Sequence, residues 1–518
     1  MKLAGAPGEG AGKGEDHSRG LRDRTLKGMM WLAWGGGVIA VLKVAVLVVL
    51  TRLLSPADFG VVGAALIIIG LSLTFSQLGL GPALVQRPVL EPRHISTAFL
   101  GSAGFGLLVA ALVWLAAPLV AAFFRMEQLA PVVRVLALMF PIAGASTVAE
   151  NLLQRELRFR LLAKADVVAY GVGYGLVGGV LAWMGLGVWA LVAAQLTWAA
   201  LKAAIVLRSA PPRFTPRPSW ACFSELMQFG VGQSAARLSA FAADQADNLV
   251  VGRWLGPVAL GLYSRAYQLM AVPTMLLGDV LDRVLFPTMA RVQDDRRRLA
   301  SAFLEGTAIL ALVTLPVGVV AAVLAPELVA VAFGARWEGL VAPFQVLALG
   351  MMFRTSYRMS DSLSRATGKV YRRAWRHAAY AIMVFGAAWI GHYWGVTGVA
   401  VGVLCALFVN YVLMAHLGLS VAQISWIRFV QAQLPALRLT LAVGAVTLAA
   451  IMGARHLGLP SFVGLLVGAT VAVGTALLAA WGAPALALGE SGMRMRDTLQ
   501  SHLLARLRPV RLVPNGNR

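Results

Sequence analysis

The chain has 518 residues, 59% of them hydrophobic and 13% charged, against roughly 25% charged in an ordinary soluble domain. Its formal charge of +22 sits in short Lys/Arg clusters between apolar runs, which excludes a nucleic-acid-binding face and marks a polytopic membrane protein. Cys222 and Cys405 are the only cysteines; they lack metal-ligand spacing and are expected in helices as small packing residues without a disulfide.

Residues 1–25 combine repeated glycines with mixed charges and lack the apolar core of a signal peptide, so they read as a disordered cytoplasmic tail. From Leu26 to Ala483 apolar runs recur, each long enough at about 1.5 Å per residue to cross a hydrocarbon core of about 30 Å. About fourteen spans result, at 26–53, 57–84, 94–124, 128–154, 162–184, 187–209, 220–253, 257–289, 298–324, 339–366, 370–392, 395–419, 434–456 and 459–482. The fold class is an all-α polytopic membrane protein. Its expected parts are an N-lobe over 26–210, a C-lobe over 211–420, two extra helices within 421–483 and a basic cytoplasmic tail over 484–518. In that tail, residues 493–511 mix arginines with leucines and are expected as a helix on the inner leaflet.

The connecting segments alternate in charge. One side carries the first tail, Arg87 and Arg93, the run around Arg155, Arg158, Arg160 and Lys164, the clusters at 208–217, 291–298 and 365–376, Arg428, and the tail after Glu490. The other side has little beyond Arg52, Arg125, Arg253, Arg336 and Arg455. Both termini are therefore expected in the cytoplasm, with an even number of crossings. The basic clusters serve as topology signals and lipid-headgroup contacts, or alternatively grip a substrate diphosphate.

A motif recurs across these spans. Thr51-Arg-Leu-Leu-Ser-Pro-Ala-Asp-Phe-Gly60 returns about two hundred residues later as Gly252-Arg-Trp-Leu-Gly-Pro-Val-Ala-Leu-Gly261. Arg52 matches Arg253, Pro56 matches Pro257 and Gly60 matches Gly261. Both copies fall at outer turns, between spans 1 and 2 and between spans 7 and 8. An offset of six spans preserves orientation, so the two six-helix lobes are parallel repeats, and the turn glycines at 185–187 and 395–398 follow the same offset. Proline stops the first helix and suits the first turn of the next, and the glycines allow close helix approach. The motif reads as a structural corner, with direct substrate contact as the alternative.

Ionisable groups inside spans cost about 2.5–3.5 kcal/mol each on insertion scales and so mark candidate sites. Lys43 lies in span 1. Arg237, Asp244, Asp247 and Asn248 lie in span 7, with Arg237, Asp244 and Asn248 near one face by helical spacing; Arg265 and Gln268 follow in span 8 beside Tyr263 and Tyr267. Span 10 adds Arg354, Arg358 and Asp361. Together these imply a polar, partly cationic cavity suited to an anionic headgroup. Asp244 and Asp247 either neutralise arginines or titrate in a proton-coupled cycle. Asp279 and Arg283 are expected as an i,i+4 ion pair, and Glu150 is expected to reach headgroup water. No catalytic constellation and no metal-ligand spacing stands out, so an enzyme is not expected.

The runs Asp247-Asn-Leu-Val-Val-Gly-Arg-Trp-Leu-Gly-Pro-Val-Ala-Leu-Gly-Leu-Tyr-Ser-Arg-Ala-Tyr-Gln-Leu269, Arg283-Val-Leu-Phe-Pro-Thr-Met-Ala-Arg-Val-Gln293 and Phe333-Gly-Ala-Arg-Trp337 resemble the bacterial polysaccharide flippases. These form the polysaccharide transporter family of the multidrug/oligosaccharidyl-lipid/polysaccharide exporter superfamily. The resemblance implies alternating access of two lobes around a central cavity. It also implies an undecaprenyl-diphosphate-linked oligosaccharide as substrate, moved across the inner membrane for lipopolysaccharide or exopolysaccharide synthesis. No cofactor is implied beyond coupling to a proton or sodium gradient. Partners would be membrane lipids, a polysaccharide polymerase and chain-length machinery. A drug/cation antiporter of the same superfamily would favour acids and aromatics over Lys43, Arg237 and Arg265, and a membrane polymerase would need a longer outer loop.

Overall fold

The computed structural model describes residues 38–76, 84–85, 87, 90–211, 241, 244–293, 295–487, 489 and 492–493. Every regular element among them is helical, as the all-α reading expects. Nine helical stretches among the described residues are long and apolar enough to cross a membrane, and the protein is a multi-pass membrane protein. The first tail, most of the last one including residues 494–518, most of span 7 with Arg237 and Cys222, and the side chains of Asp279 and Arg283 lie outside the described residues. Two compact units divide the chain, Met1–Gly261 and Leu262–Arg518.

In the first unit, α1 covers 38–53 and α2 Pro56–Ser76. Next come α3 (Pro92–Phe124), α4 (Leu129–Leu136) and α5 (Met139–Arg155). Predicted span 4 is thus broken into α4 and α5. After them come α6 (Phe159–Tyr170), a widened π segment (Gly171–Gly178), the short α7 (Gly179–Trp183), α8 (Val188–Ser209) and α9 over 244–250. Glycines set how closely these helices cross. A methyl group on Gly106 of α3 would lie 2.7 Å from the Phe140 carbonyl oxygen, and one on Gly144 of α5 would lie 2.4 Å from that of Ser102. Only backbones without a Cβ reach such distances.

The α1–α2 corner is a capping box. The Ser55 hydroxyl donates to Asp58 Oδ2 at 2.7 Å, the Ser55 amide donates to the same oxygen at 2.8 Å, and the Asp58 amide returns to Ser55 Oγ at 3.3 Å. With Pro56 in the first helical position, three local signals start α2 at one place. The second motif copy has no side-chain cap. It turns instead through a π segment, Val251–Leu255, and Gly256 at φ +85°.

These two corners touch. A methyl on Gly60 would lie 1.8 Å from the Pro257 carbonyl oxygen, and a methyl on Gly261 would lie 1.8 Å from that of Pro56. Matching residues exchange partners, as a two-fold relation between the copies requires. At this separation the glycine Cα–H groups face the proline carbonyls as weak donors.

The second unit carries most of α10 (Gly256–Arg291) and then α11 (Arg296–Val323) and α12 (Ala325–Ala332). A 3₁₀ turn at Ala335–Leu340 leads to α13 (Val341–Leu349) and α14 (Met351–Ala366). The remaining helices are α15 (Val370–Gly391), α16 (Gly395–Ala422), α17 (Trp426–His456), α18 (Ser461–Gly482) and the short α19 (Pro484–Ala487). The 3₁₀ turn seats Trp337, fully buried, edge-on to Phe333 at 5.6 Å. The α15–α16 hairpin closes on Gly391, Gly398 and Gly402, each of which leaves no room for a side chain against the opposite backbone. Exposed Tyr371 and Trp375 at one end of α15, and Trp389, Tyr393 and Trp394 at the other, have the pattern of two interfacial aromatic belts.

The two extra helices are built into this unit. Packing joins α17 to α11 and α18 to α12. Arg455 at the end of α17 grips Glu327 of α12 with two bonds, Nε to Oε1 at 2.8 Å and Nη2 to Oε2 at 3.1 Å. Glu327 is buried beneath α18, where a methyl on Gly464 would touch its Cγ at 3.4 Å. Cys405 is free and exposed on α16, so its expected packing role is corrected.

Candidate functional site

Lys43 projects from an exposed position on α1, its ammonium 5.7 Å from the centre of the Tyr170 ring. Tyr170 stacks on Tyr174 at 4.8 Å, and Tyr174 donates to Gln195 Oε1 on α8. Gln195 Nε2 in turn reaches the Met139 sulfur at 3.6 Å. The stack spans the point where α6 opens into the π segment, whose sequence GVGYGLVG gives the backbone room to widen. Gly173 there allows close contact with α8, since a methyl on it would lie 2.7 Å from the Trp198 nitrogen. Widened turns of this kind concentrate at functional sites. Sequence reasoning found Lys43; Tyr170, Tyr174 and Gln195 were missed, and the four glycines of Gly171–Gly178 were the available signal.

Later in the same unit, on α9, Asp247 and Asn248 are buried, 1% and 6% exposed, while Asp244 is exposed. Asp247 Oδ1 accepts the Asn248 amide at 2.8 Å, and Asn248 Nδ2 donates to Gln245 at 3.2 Å. The Asn248 side-chain oxygen is buried and accepts no hydrogen bond among the described residues. Helical spacing groups Asp244 with Asn248, but burial separates them.

The second unit carries cationic groups on α10 and α14. On α10, Arg265 Nη1 donates to Gln268 Oε1 one turn later, and Tyr263 lies 6.2 Å from Tyr267. Arg354 of α14 donates to the Tyr267 hydroxyl and stacks over that ring at 4.7 Å. Along α14, Arg354, Tyr357 and Arg358 are half-buried on one face, whereas Thr355, Ser356, Ser360, Ser362 and Ser364 are buried. This helix carries Arg354, Arg358, Asp361 and Arg365 within one half of predicted span 10, which breaks at Gly350 between α13 and α14. Such a polar half-helix is tolerated at membrane depth only where it faces protein or water. Guanidinium forks held beside tyrosines suit the oxygens of a phosphate ester.

Other charges serve packing. Asp361 accepts from Arg373 of α15, from Arg365 at 3.3 Å and from His377 at 3.0 Å, joining α14 to α15. Lys202 of α8 bridges Glu150 of α5 and Asp166 of α6, at 3.1 Å to each. Glu150 was expected to reach headgroup water and is corrected: it faces another helix. Arg155 instead fastens the segment before α3, donating to the Leu84 carbonyl at 2.7 Å and to that of Arg87 at 2.5 Å. Arg52 is exposed, and Arg253 lies between the Phe123 and Trp254 rings, at 5.5 and 5.6 Å.

Comparison with known proteins follows the same lines. A family model described as "Polysaccharide biosynthesis protein" matches residues 49–342, more than half of the chain. The lipopolysaccharide biosynthesis protein WzxC of Escherichia coli (strain K12) is 25% identical over 401 residues, 76% of this chain and 80% of WzxC. The succinoglycan biosynthesis transport protein ExoT of Rhizobium meliloti (strain 1021) is 28% identical over 310 residues, 60% of this chain and 62% of ExoT. Among solved structures, the lipid II flippase MurJ in an inward closed conformation superposes with a TM-score of 0.70 at 12% identity, covering 87% of this chain and 99% of MurJ. An inward-facing multidrug resistance MATE family transporter of the MOP superfamily superposes at 0.59 and 18% identity, covering 76% of this chain and 94% of that one. At these identities the two structures establish the fold alone.

Proposed function

Because the chain belongs to the polysaccharide biosynthesis protein family, we propose that it is a flippase for a diphosphate-linked lipid oligosaccharide, undecaprenyl in its lipid, working by alternating access across the bacterial inner membrane. Both termini lie in the cytoplasm in this reading, on the side of the basic clusters, and the lobes are 26–210 and 211–420. One observation carries it: Arg354 of α14 is held by the hydroxyl and the ring of Tyr267 on α10, and α10 carries a second guanidinium at Arg265, bonded to Gln268. A diphosphate offers the oxygens that such guanidinium groups bind in pairs. Lys43 and the Tyr170–Tyr174 stack supply a second cation with ring faces and hydroxyls that suit a sugar. A cationic drug would meet like charge along α14, which disfavours the antiporter reading. Polymerase and chain-length proteins would act on the released product.

The reciprocal Gly60–Pro257 and Gly261–Pro56 contact supports a role for the corners as a closure that parts when the substrate exits. The reading is tested in a polysaccharide-producing host with a single copy of this gene. Deletion is expected to accumulate the lipid-linked repeat unit on the cytoplasmic side and stop polymer export. Export at the normal rate after deletion, with no second flippase present, would overturn it.

A further inference from the structure

The two repeats, laid over one another, separate charges that hold the fold from one that does not. Gly398 follows Gly187 by 211 residues, and the same step carries Glu150 to Asp361 and Asp166 to His377. Both units join these equivalent positions by ion pairs, Glu150 and Asp166 through Lys202, Asp361 and His377 directly. Ala165 of α6 then corresponds to Arg376 of α15, and both are buried, 1% and 8% exposed. The second repeat buries a guanidinium where the first buries a methyl group.

That guanidinium is only partly satisfied. Its Nε donates to the Leu413 carbonyl of α16 at 3.2 Å, and its Nη1 donates to the Arg372 carbonyl one turn earlier at 2.5 Å. The group also lies over the Trp375 ring, 4.5 Å from its centre. Its Nη2 has no partner among the described residues, and none of their carboxylates pairs with Arg376 or with exposed Arg372. The local acid is taken by the neighbouring stripe of α15, since Asp361 is bonded to Arg373, His377 and Arg365. Like charges one turn apart repel, and a buried cation without counter-charge is costly. A negative charge from outside the chain relieves both.

Tyr371 and Trp375, 91% and 52% exposed on the same two turns, set this place at the level of the lipid headgroups, in the inner leaflet under the topology proposed above. The donors select among headgroups. Arg376 has one nitrogen left rather than a fork, and Arg372 adds the second group, which suits the two unesterified oxygens of a single phosphodiester. A headgroup ammonium would find no open carboxylate and would meet two guanidinium groups. Phospholipid also far outnumbers any lipid-linked intermediate in the leaflet, so mass action fills the place with it. We infer that Arg372 and Arg376 hold the phosphate of an anionic phospholipid of the phosphatidylglycerol class on the α15–α16 hairpin. Through Arg376 and the Leu413 carbonyl, the bound phosphate ties α15 to α16.

The test uses the full chain in detergent, stripped of lipid and titrated with phosphatidylglycerol, phosphatidylcholine or a polyprenyl diphosphate. Binding is read by native mass spectrometry and stability by thermal melting. Phosphatidylglycerol is expected to bind about tenfold more tightly than phosphatidylcholine and to raise the melting temperature. Arg372→Gln and Arg376→Ala should each remove that preference and that rise. Arg376→Ala restores the residue of the first repeat, so without lipid it should melt no lower than the parent. Lys164→Gln, which removes an exposed cation of α6 in the first unit, should keep the preference. Equal binding of the two phospholipids, a preference that survives in either arginine variant, its loss in Lys164→Gln as well, or displacement of phosphatidylglycerol by an equal concentration of polyprenyl diphosphate would each overturn the proposal. If Arg376→Ala does not fold, the comparison of Arg372→Gln with Lys164→Gln decides by itself.

Discussion

Gly60 and Gly261 each leave room for a proline carbonyl of the other motif copy, with a methyl on either falling 1.8 Å from oxygen. Alanine at either position must push the corners apart, an overpacking expected to cost about 1–3 kcal/mol. Both variants should melt earlier than the parent in detergent, whereas Gly104→Ala, with open space around it, should melt with it. Equal melting of all three would dismiss the contact. Among the charged groups, Arg354 is held by Tyr267 from two directions, by a hydrogen bond and by the ring face. Arg265→Ala and Arg354→Ala should each lower polymer export by about tenfold or more with protein levels unchanged, the loss expected when a charged hydrogen-bond partner is removed. Tyr267→Phe keeps the ring and should retain part of the export. Normal export in both arginine variants would remove this surface from the pathway.

Lys202 joins three helices by meeting Glu150 and Asp166 together. Lys202→Met leaves two carboxylates facing each other and should cut folded yield severalfold, of order 1 kcal/mol or more given partial exposure. Adding Glu150→Gln and Asp166→Asn should restore the yield. In the second unit, Glu327→Gln and Arg455→Gln should each lower the melting temperature of detergent-solubilised protein. The double variant should fall no further than either single one, since both remove the same bidentate pair. These elements also show what the sequence could and could not disclose. Apolar runs made the long helices α3, α11 and α18 legible, and α17 from residue 434 on though not its first two turns from Trp426, and proline with glycine made the corner legible. Breaks within spans were hidden: α4 and α5 share one apolar run, and α13 and the polar α14 share one predicted span, because hydropathy averages over a break in the helix. α12 escaped notice because eight residues are too few to register against flanking spans. Pairing across helices was hidden more deeply, since nothing in the chain order links residue 150 to 202 or residue 327 to 455. Lys43, Asp247, Asn248, Arg265 and Gln268 could be listed as charged or amide groups inside spans, but which tyrosines and amides hold them depends on rotation about each helix.

As a molecule, the protein combines an apolar helical body with two polar surfaces, one in each unit. The surface around Lys43, Tyr170 and Tyr174 carries one cation among aromatic rings. The second unit carries more guanidinium, with Arg265 on α10 and Arg354 and Arg358 on α14. Taken separately, guanidinium groups suit a charged diphosphate and aromatic rings suit neutral sugars. Transport of the linked molecule is therefore the central claim, and reconstitution tests it most directly. The purified chain in proteoliposomes, supplied with a polyprenyl-diphosphate oligosaccharide on one leaflet, should expose that oligosaccharide to a membrane-impermeant glycosidase on the other. The rate should exceed that of protein-free vesicles and fall with Arg265→Ala and Arg354→Ala. Exposure no faster than in protein-free vesicles, under either an imposed proton or an imposed sodium gradient, would contradict the account.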